Sequence, residues 1–177
     1  MVVTVIGGSG SGKSAWAEEL CLRLSGPLVY VATMRPEGED AEARILRHRS
    51  RREGAGFETF ECFGALEEAA GAARGATVLV DSVGCALANA MFPAGGGAVP
   101  SEEALRSLLA GAASLGSAAR NLVAVTDDVS RDGDAYDAGS ASYVEALSEA
   151  NRRLVSTSDS AVEVVCGIPV AFKGALP

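Results

Sequence analysis

Residues 7–14 read GGSGSGKS, directly after a β-branched run at 2–6 and directly before an amphipathic stretch at 13–24. No other feature narrows the fold so far. Glycines let the backbone curl until successive N–H groups point inward, and a helix starting at Lys13 adds its positive dipole end at the same place. Such a concavity suits an anion with several oxygens. Gly7, Gly12, Lys13 and Ser14 stand at the spacing G-x-x-x-x-G-K-[ST] of a phosphate loop. In such loops the lysine reaches the β- and γ-phosphates and the serine hydroxyl ligates Mg²⁺. Gly8, Ser9, Gly10 and Ser11 complete the cradle. The alternative, a glycine-rich turn that binds nothing, is disfavoured by its position between strand and helix.

The rest of the chain alternates in the manner such a loop requires. Apolar runs at 28–33, 57–62, 77–81 and 121–126 read as strands, and stretches at 41–52, 64–74, 82–92, 102–115 and 141–155 read as helices. Residues 161–166 and 169–172 flank Gly167 as a terminal hairpin. Strands alternating with helices imply a mostly parallel sheet covered on both faces. The expectation is one α/β domain over residues 1–177, a three-layer P-loop NTPase fold with a C-terminal hairpin and its nucleotide at the C-terminal strand ends. Loops at 93–100 and 127–139 read as lining the site or as mobile. Trp16 reads as core or interface packing.

Charge narrows the ligand. The net charge of −8 argues against the basic footprint of a nucleic-acid binder. Yet Arg44, Arg47, Arg49, Arg51 and Arg52 crowd into one stretch, which suits a small anion. The four cysteines, Cys21, Cys62, Cys85 and Cys166, are scattered without a C-x-x-C pair and read as reduced, small hydrophobes. No apolar run reaches the roughly 20 residues that span a bilayer, and a cytoplasmic protein is expected.

Two further groups carry chemistry. Asp81 closes a strand and is the candidate second Mg²⁺ ligand beside Ser14. His48 is the single histidine, and helical spacing puts it on one face with Arg44 and Arg52. Neighbouring cations would keep its ring neutral and nucleophilic, and the arginines would grip a triphosphate as pyrophosphate leaves. Those are the parts of a nucleotidyl-transfer site acting through a phosphoramidate. On the residues alone, a surface histidine on a solvated basic helix explains the pattern equally well.

Several segments together carry a family resemblance: GGSGSGKS, YVAT at 30–33, RILRHRSRR at 44–52, VDSVGCALAN at 80–89, NRRL at 151–154 and GIPVAFK at 167–173. The chain resembles the bifunctional adenosylcobinamide kinase/adenosylcobinamide-phosphate guanylyltransferases of cobalamin biosynthesis. That resemblance implies ATP or GTP as phosphoryl donor to a corrinoid alcohol, then GMP transfer from GTP through a guanylylated histidine. His48 falls on that histidine, Ser9–Ser14 on the phosphate loop and Asp81 on the acidic strand end. Glu61 falls on an acidic residue of the family's third-strand region and, with Arg49 and Arg52 of the basic stretch, is a candidate nucleotide contact. The resemblance also implies homo-oligomers built of trimeric units. The chain departs from the family pattern at 126–131, TDDVSR, where Asp128 replaces a glutamate and no proline follows, and around Ser140 and Tyr143.

Two other classes remain open on the residues. One is a small-molecule P-loop kinase with no covalent intermediate, and the other a nucleotide-dependent switch. An N-K-x-D guanine-reading motif is missing from 126–129, so preference for GTP follows only from the resemblance.

Overall fold

The computed structural model describes residues 1–129 and 137–177. Its N-terminal run forms β1 (Val2–Gly7), which lies inside the sheet between two parallel neighbours. In chain order follow α1 (Lys13–Arg23), β2 (Leu28–Ala32), α2 (Glu39–Arg52), β3 (Phe57–Glu61), α3 (Ala70–Ala73), β4 (Thr77–Asp81), α4 (Val83–Met91), α5 (Ser101–Ala118), β5 (Asn121–Asp127), α6 (Ala138–Thr157), β6 (Ser160–Val165) and β7 (Ile168–Lys173). The sheet has seven strands in the order β3-β2-β4-β5-β1-β6-β7, all parallel except β7, which returns antiparallel to β6. Strands buried on both faces need apolar residues at every position. β4 is buried along its whole length, with Val78, Leu79 and Val80 apolar between the polar Thr77 and Asp81 at its ends.

Two apolar layers flank the sheet. Ala17, Leu20 and Cys21 of α1 pack with Val3, Val5, Leu79, Val123 and Val162 on one face, and Trp16 is partly buried against them. Leu87, Leu105, Leu108, Leu115 and Leu147 from α4, α5 and α6 cover the other. Each such side chain, fully buried, contributes about 1.5–3 kcal/mol. The three-layer reading therefore holds. Burial pushes the Cys21 thiol up to about 12, so it behaves as one of these hydrophobes.

Several boundaries differ from the sequence reading, each for a local reason. The helix expected at 64–74 is a 3₁₀ turn, Leu66–Ala69, running into the single turn α3. There the Glu68 carboxylate folds back to accept the Ala65 N–H at 3.1 Å. Helix α6 starts earlier than 141, because Asp137 caps it: its carboxylate accepts the Ser140 N–H at 2.9 Å and the Ser140 hydroxyl at 3.0 Å. The loop 93–100 lies off the cleft described below, tied back to the end of α4 by the Val99 N–H, which donates to the Met91 carbonyl. Of the 127–139 loop, residues 130–136 lie outside the described residues, and its first member, Asp127, is instead the last residue of β5.

Helix α2 is held differently from the others. Its first turn is acidic and its last turn basic, the arrangement its dipole favours, and Arg52 is its one buried residue. The Arg52 guanidinium stacks 3.3 Å from the centroid of the Tyr30 ring and bonds Glu18 of α1 at 3.4 Å, while Arg51 reaches the same carboxylate at 3.2 Å. Polar anchors at one end thus fix the helix over the sheet. Removing one member of a buried ion pair strands the other, at a cost on the order of 3 kcal/mol. A Glu18→Ala variant is therefore expected to unfold at a markedly lower temperature by circular dichroism.

Candidate active site

At the C-terminal ends of the parallel strands lies a cleft of about 1160 Å³, floored by residues 9–15 and roofed by α2. Parallel strands place their loops there, so the ends of β1, β2, β4 and β5 converge on one region. Gly12, with φ of 92°, turns the chain into α1. A Cβ at Gly12 would stand 3.3 Å from the Gly167 Cα in the β6–β7 turn. That turn is tied to the phosphate loop by the Gly167 N–H, which donates to the Ser11 carbonyl at 2.8 Å. The hairpin thus buttresses the loop from behind. Ser11 Oγ is buried without a hydrogen-bond partner among the described residues, a cost that an oxyanion in the loop would relieve.

The central group is Asp81. Its Oδ1 lies 3.4 Å from the Ser14 hydroxyl, and its Oδ2 accepts the Tyr30 hydroxyl at 3.0 Å and lies 3.1 Å from His48 Nδ1. Burial alone would raise the carboxyl, but hydrogen bonds and charge from His48, with help from Tyr30 and Ser14, hold it below the ordinary carboxylate value. An ionised carboxylate only accepts, so His48 must present an N–H at Nδ1, and whenever the ring is neutral its lone pair resides on Nε2. His48 thus bonds an anion and the Tyr30 hydroxyl, 3.5 Å from Nδ1, where the sequence reading set it among cations. Burial, followed by the Asp81 charge, pushes the Tyr30 hydroxyl far above its usual value, so Tyr30 remains a donor.

A second set of bonds fixes this carboxylate in space. The Thr33 hydroxyl donates to the Ser82 carbonyl at 2.7 Å and accepts the Ser82 N–H at 2.8 Å, and Asn89 Nδ2 donates to the Thr33 carbonyl at 2.8 Å. Residues from YVAT and VDSVGCALAN are therefore interlocked across β2, β4 and α4.

The remaining site candidates separate. Arg44 and Arg47 line the cleft. Arg49 pairs with Glu61 at 2.8 Å near the mouth, both about half exposed. Arg52 reaches the wall, but its guanidinium is committed to Glu18 and Tyr30. Lys13 is buried, donates to the Gly8 carbonyl at 3.1 Å and forms an ion pair of 2.7 Å with Asp127. Tyr30, Glu18 and Asp127 join the site without being singled out by the sequence motifs. For Asp127 a signal existed, since it closes an apolar strand as Asp81 does.

Ser14 Oγ and Asp81 Oδ1 are hard oxygens beside the phosphate loop, the donor type Mg²⁺ takes. Among the described residues no group of three or more His, Cys, Asp or Glu could hold a metal by itself. Phosphate oxygens and water would have to complete the shell. No helix among the described residues is long and apolar enough to cross a membrane.

Against known proteins, a sequence model described as cobinamide kinase / cobinamide phosphate guanyltransferase matches residues 3–172. No curated protein sequence matches. Among solved structures, the flagellar accessory protein FlaH from Methanocaldococcus jannaschii superposes with a TM-score of 0.50 at 10% identity, covering 98% of this chain and 78% of its own. An ATPase from the type III secretion system of pathogenic bacteria gives 0.51 at 14% identity, with 92% of this chain and 51% of that one covered. These likenesses speak to the fold alone.

Proposed function

The chain belongs to the cobinamide kinase / cobinamide phosphate guanyltransferase family, and from that premise we propose that both reactions use the one cleft, with GMP passing through His48. The observation that carries this reading is the shared carboxylate. Asp81 touches the phosphate-loop serine with one oxygen and the histidine with the other. A nucleotide whose phosphates lie on residues 8–14 would then have its phosphorus atoms within reach of the imidazole.

In the guanylylation step, His48 Nε2 attacks the α-phosphorus of GTP and a nitrogen–phosphorus bond forms. The bond from that phosphorus to the bridging oxygen breaks, and pyrophosphate leaves with the electron pair. Asp81 holds Nδ1–H and stabilises the positive charge that grows on the ring. A phosphate oxygen of the phosphorylated corrinoid then attacks the same phosphorus, and the nitrogen–phosphorus bond breaks to restore His48. Arg44 and Arg47, on the cleft wall, suit the neutralisation of departing pyrophosphate. In the kinase step the γ-phosphoryl group of ATP or GTP passes to the corrinoid alcohol, with Lys13 on the phosphates. Mg²⁺, held by Ser14, Asp81 and the phosphates, would neutralise charge on the triphosphate in both steps.

The acting compartment is the cytoplasm, where triphosphates are supplied. The assembly is a homo-oligomer of trimeric units, in keeping with the resemblance of the sequence. Intact-protein mass spectrometry after incubation with GTP and Mg²⁺, beside ATP, tests the reading. A gain of one GMP with GTP alone is the expected result. Protein that binds GTP and phosphorylates cobinamide without forming the adduct would instead be a kinase without a covalent intermediate.

A further inference from the structure

Phosphoryl transfer to an alcohol releases a proton, and the cleft must have a group to take it. Among the described residues, the carboxylates lining the cleft are Glu42, Glu61, Asp81 and Asp127. Glu42 stands on α2, exposed, and Glu61 is paired with Arg49 at the mouth. Asp81 is 8% exposed, with both oxygens engaged by Ser14, Tyr30 and His48. Asp127 differs from all three. It is the last residue of β5, level with Gly7 in the strand register, and its side chain is 29% exposed into the cleft. Its Oδ1 lies 2.7 Å from the Nζ of Lys13, the ammonium that meets the terminal phosphates. Its Oδ2 lies above Gly84, where the Tyr143 hydroxyl also arrives. A methyl on Gly84 would stand 2.9 Å from the Tyr143 oxygen and 3.3 Å from Asp127 Oδ2. The start of α4 is thus bare where these two polar groups meet.

Resting on the kinase reading above, we infer that Asp127 is the base that accepts the proton of the acceptor alcohol. In the free protein its charge is matched by Lys13. A triphosphate in the loop draws the lysine onto the β- and γ-phosphates and leaves the carboxylate one lysine contact away from the γ-phosphorus. The alcohol oxygen then attacks that phosphorus. The bond from the phosphorus to the β–γ bridging oxygen breaks, the nucleoside diphosphate leaves with the electron pair, and the alcohol proton passes to Asp127 and on to water. The ion pair therefore masks the base until nucleotide is bound, which orders nucleotide before alcohol. Guanylylation of His48 involves no acceptor alcohol and has no use for this base.

The test is Asp127→Asn, which keeps the shape and cannot accept the proton. Phosphate transfer from radiolabelled ATP to cobinamide and GMP uptake from GTP are measured on the same preparation. A kcat for phosphate transfer lower by on the order of 10²–10⁴, the range for a lost general base, is expected, with an unchanged or lower KM for ATP because a carboxylate near the phosphates is gone. GMP uptake should persist, which also reports that the variant is folded. A kcat within about threefold of wild type, well short of that range, overturns the assignment, and so does a parallel loss of both reactions. Failure of the wild-type protein to phosphorylate cobinamide overturns the kinase reading and this assignment with it. Normal transfer by the variant overturns the assignment alone.

Discussion

A His48→Ala variant incubated with GTP and Mg²⁺ gains no GMP by mass spectrometry, and its guanylyl transfer falls by on the order of 10⁴–10⁶, the scale on which a covalent nucleophile is lost. The argument rests on atoms. His48 is the one histidine of the chain, and its Nδ1 is engaged by the Asp81 carboxylate, so in the neutral ring Nε2 carries the lone pair. Alanine leaves no nitrogen there. Little else should change, because the His48 side chain is on α2, whose anchor is Arg52 against Glu18 and Tyr30. Phosphate transfer to cobinamide is expected to stay within about tenfold of wild type, since that step needs the loop, Lys13 and an acceptor but no imidazole. Undiminished GMP uptake by the variant would place the nucleophile on another side chain. Equal loss of both reactions would mean that His48 organises the cleft and does not act as the nucleophile.

The frame of this site is legible in the sequence because its determinants are local. The phosphate loop is contiguous, and β-branched runs that must be buried on both faces reveal parallel strands without any knowledge of their neighbours. Ser14, His48 and Asp81 can each be selected in this way. What brings them together is not local. Tyr30 reads as an ordinary strand residue, yet β2 and β4 run in register with Ala32 beside Asp81. Tyr30, two residues earlier on the same face, can therefore reach that carboxylate with its hydroxyl. Arg52 reads as a free cation for phosphate, because only the packing of α1 puts Glu18 opposite it. Asp127 reads as the first residue of a loop when β5 is ended one residue early. The extra ladder position beside Gly7 turns it into a side chain facing Lys13. Strand ends are decided by neighbouring strands, and these ends carry the chemistry.

Asp81→Asn separates a site organised by one carboxylate from two sites that merely adjoin. Asparagine has the same shape, but its amide nitrogen donates where the carboxylate accepts. Facing that amide, His48 is driven to the tautomer with its proton on Nε2, and the nucleophilic lone pair is withdrawn. Guanylylation should fall by about 10³–10⁴, as when the carboxylate behind a catalytic histidine is replaced by its amide. The other oxygen matters as well. Oδ1 faces Ser14, and loss of its charge weakens the pair that would hold Mg²⁺. Phosphate transfer should therefore fall too, by roughly 10–100-fold, as for weakened metal binding, and should recover in part at high Mg²⁺. His48→Ala spares the kinase step and Asp127→Asn spares guanylylation, whereas Asp81→Asn should spare neither. A variant that lost GMP uptake yet showed an unaltered magnesium titration would confine Asp81 to the histidine and assign the metal to other ligands. A variant active in both reactions would show that the 3.1 Å contact between Asp81 and His48 has no part in the chemistry.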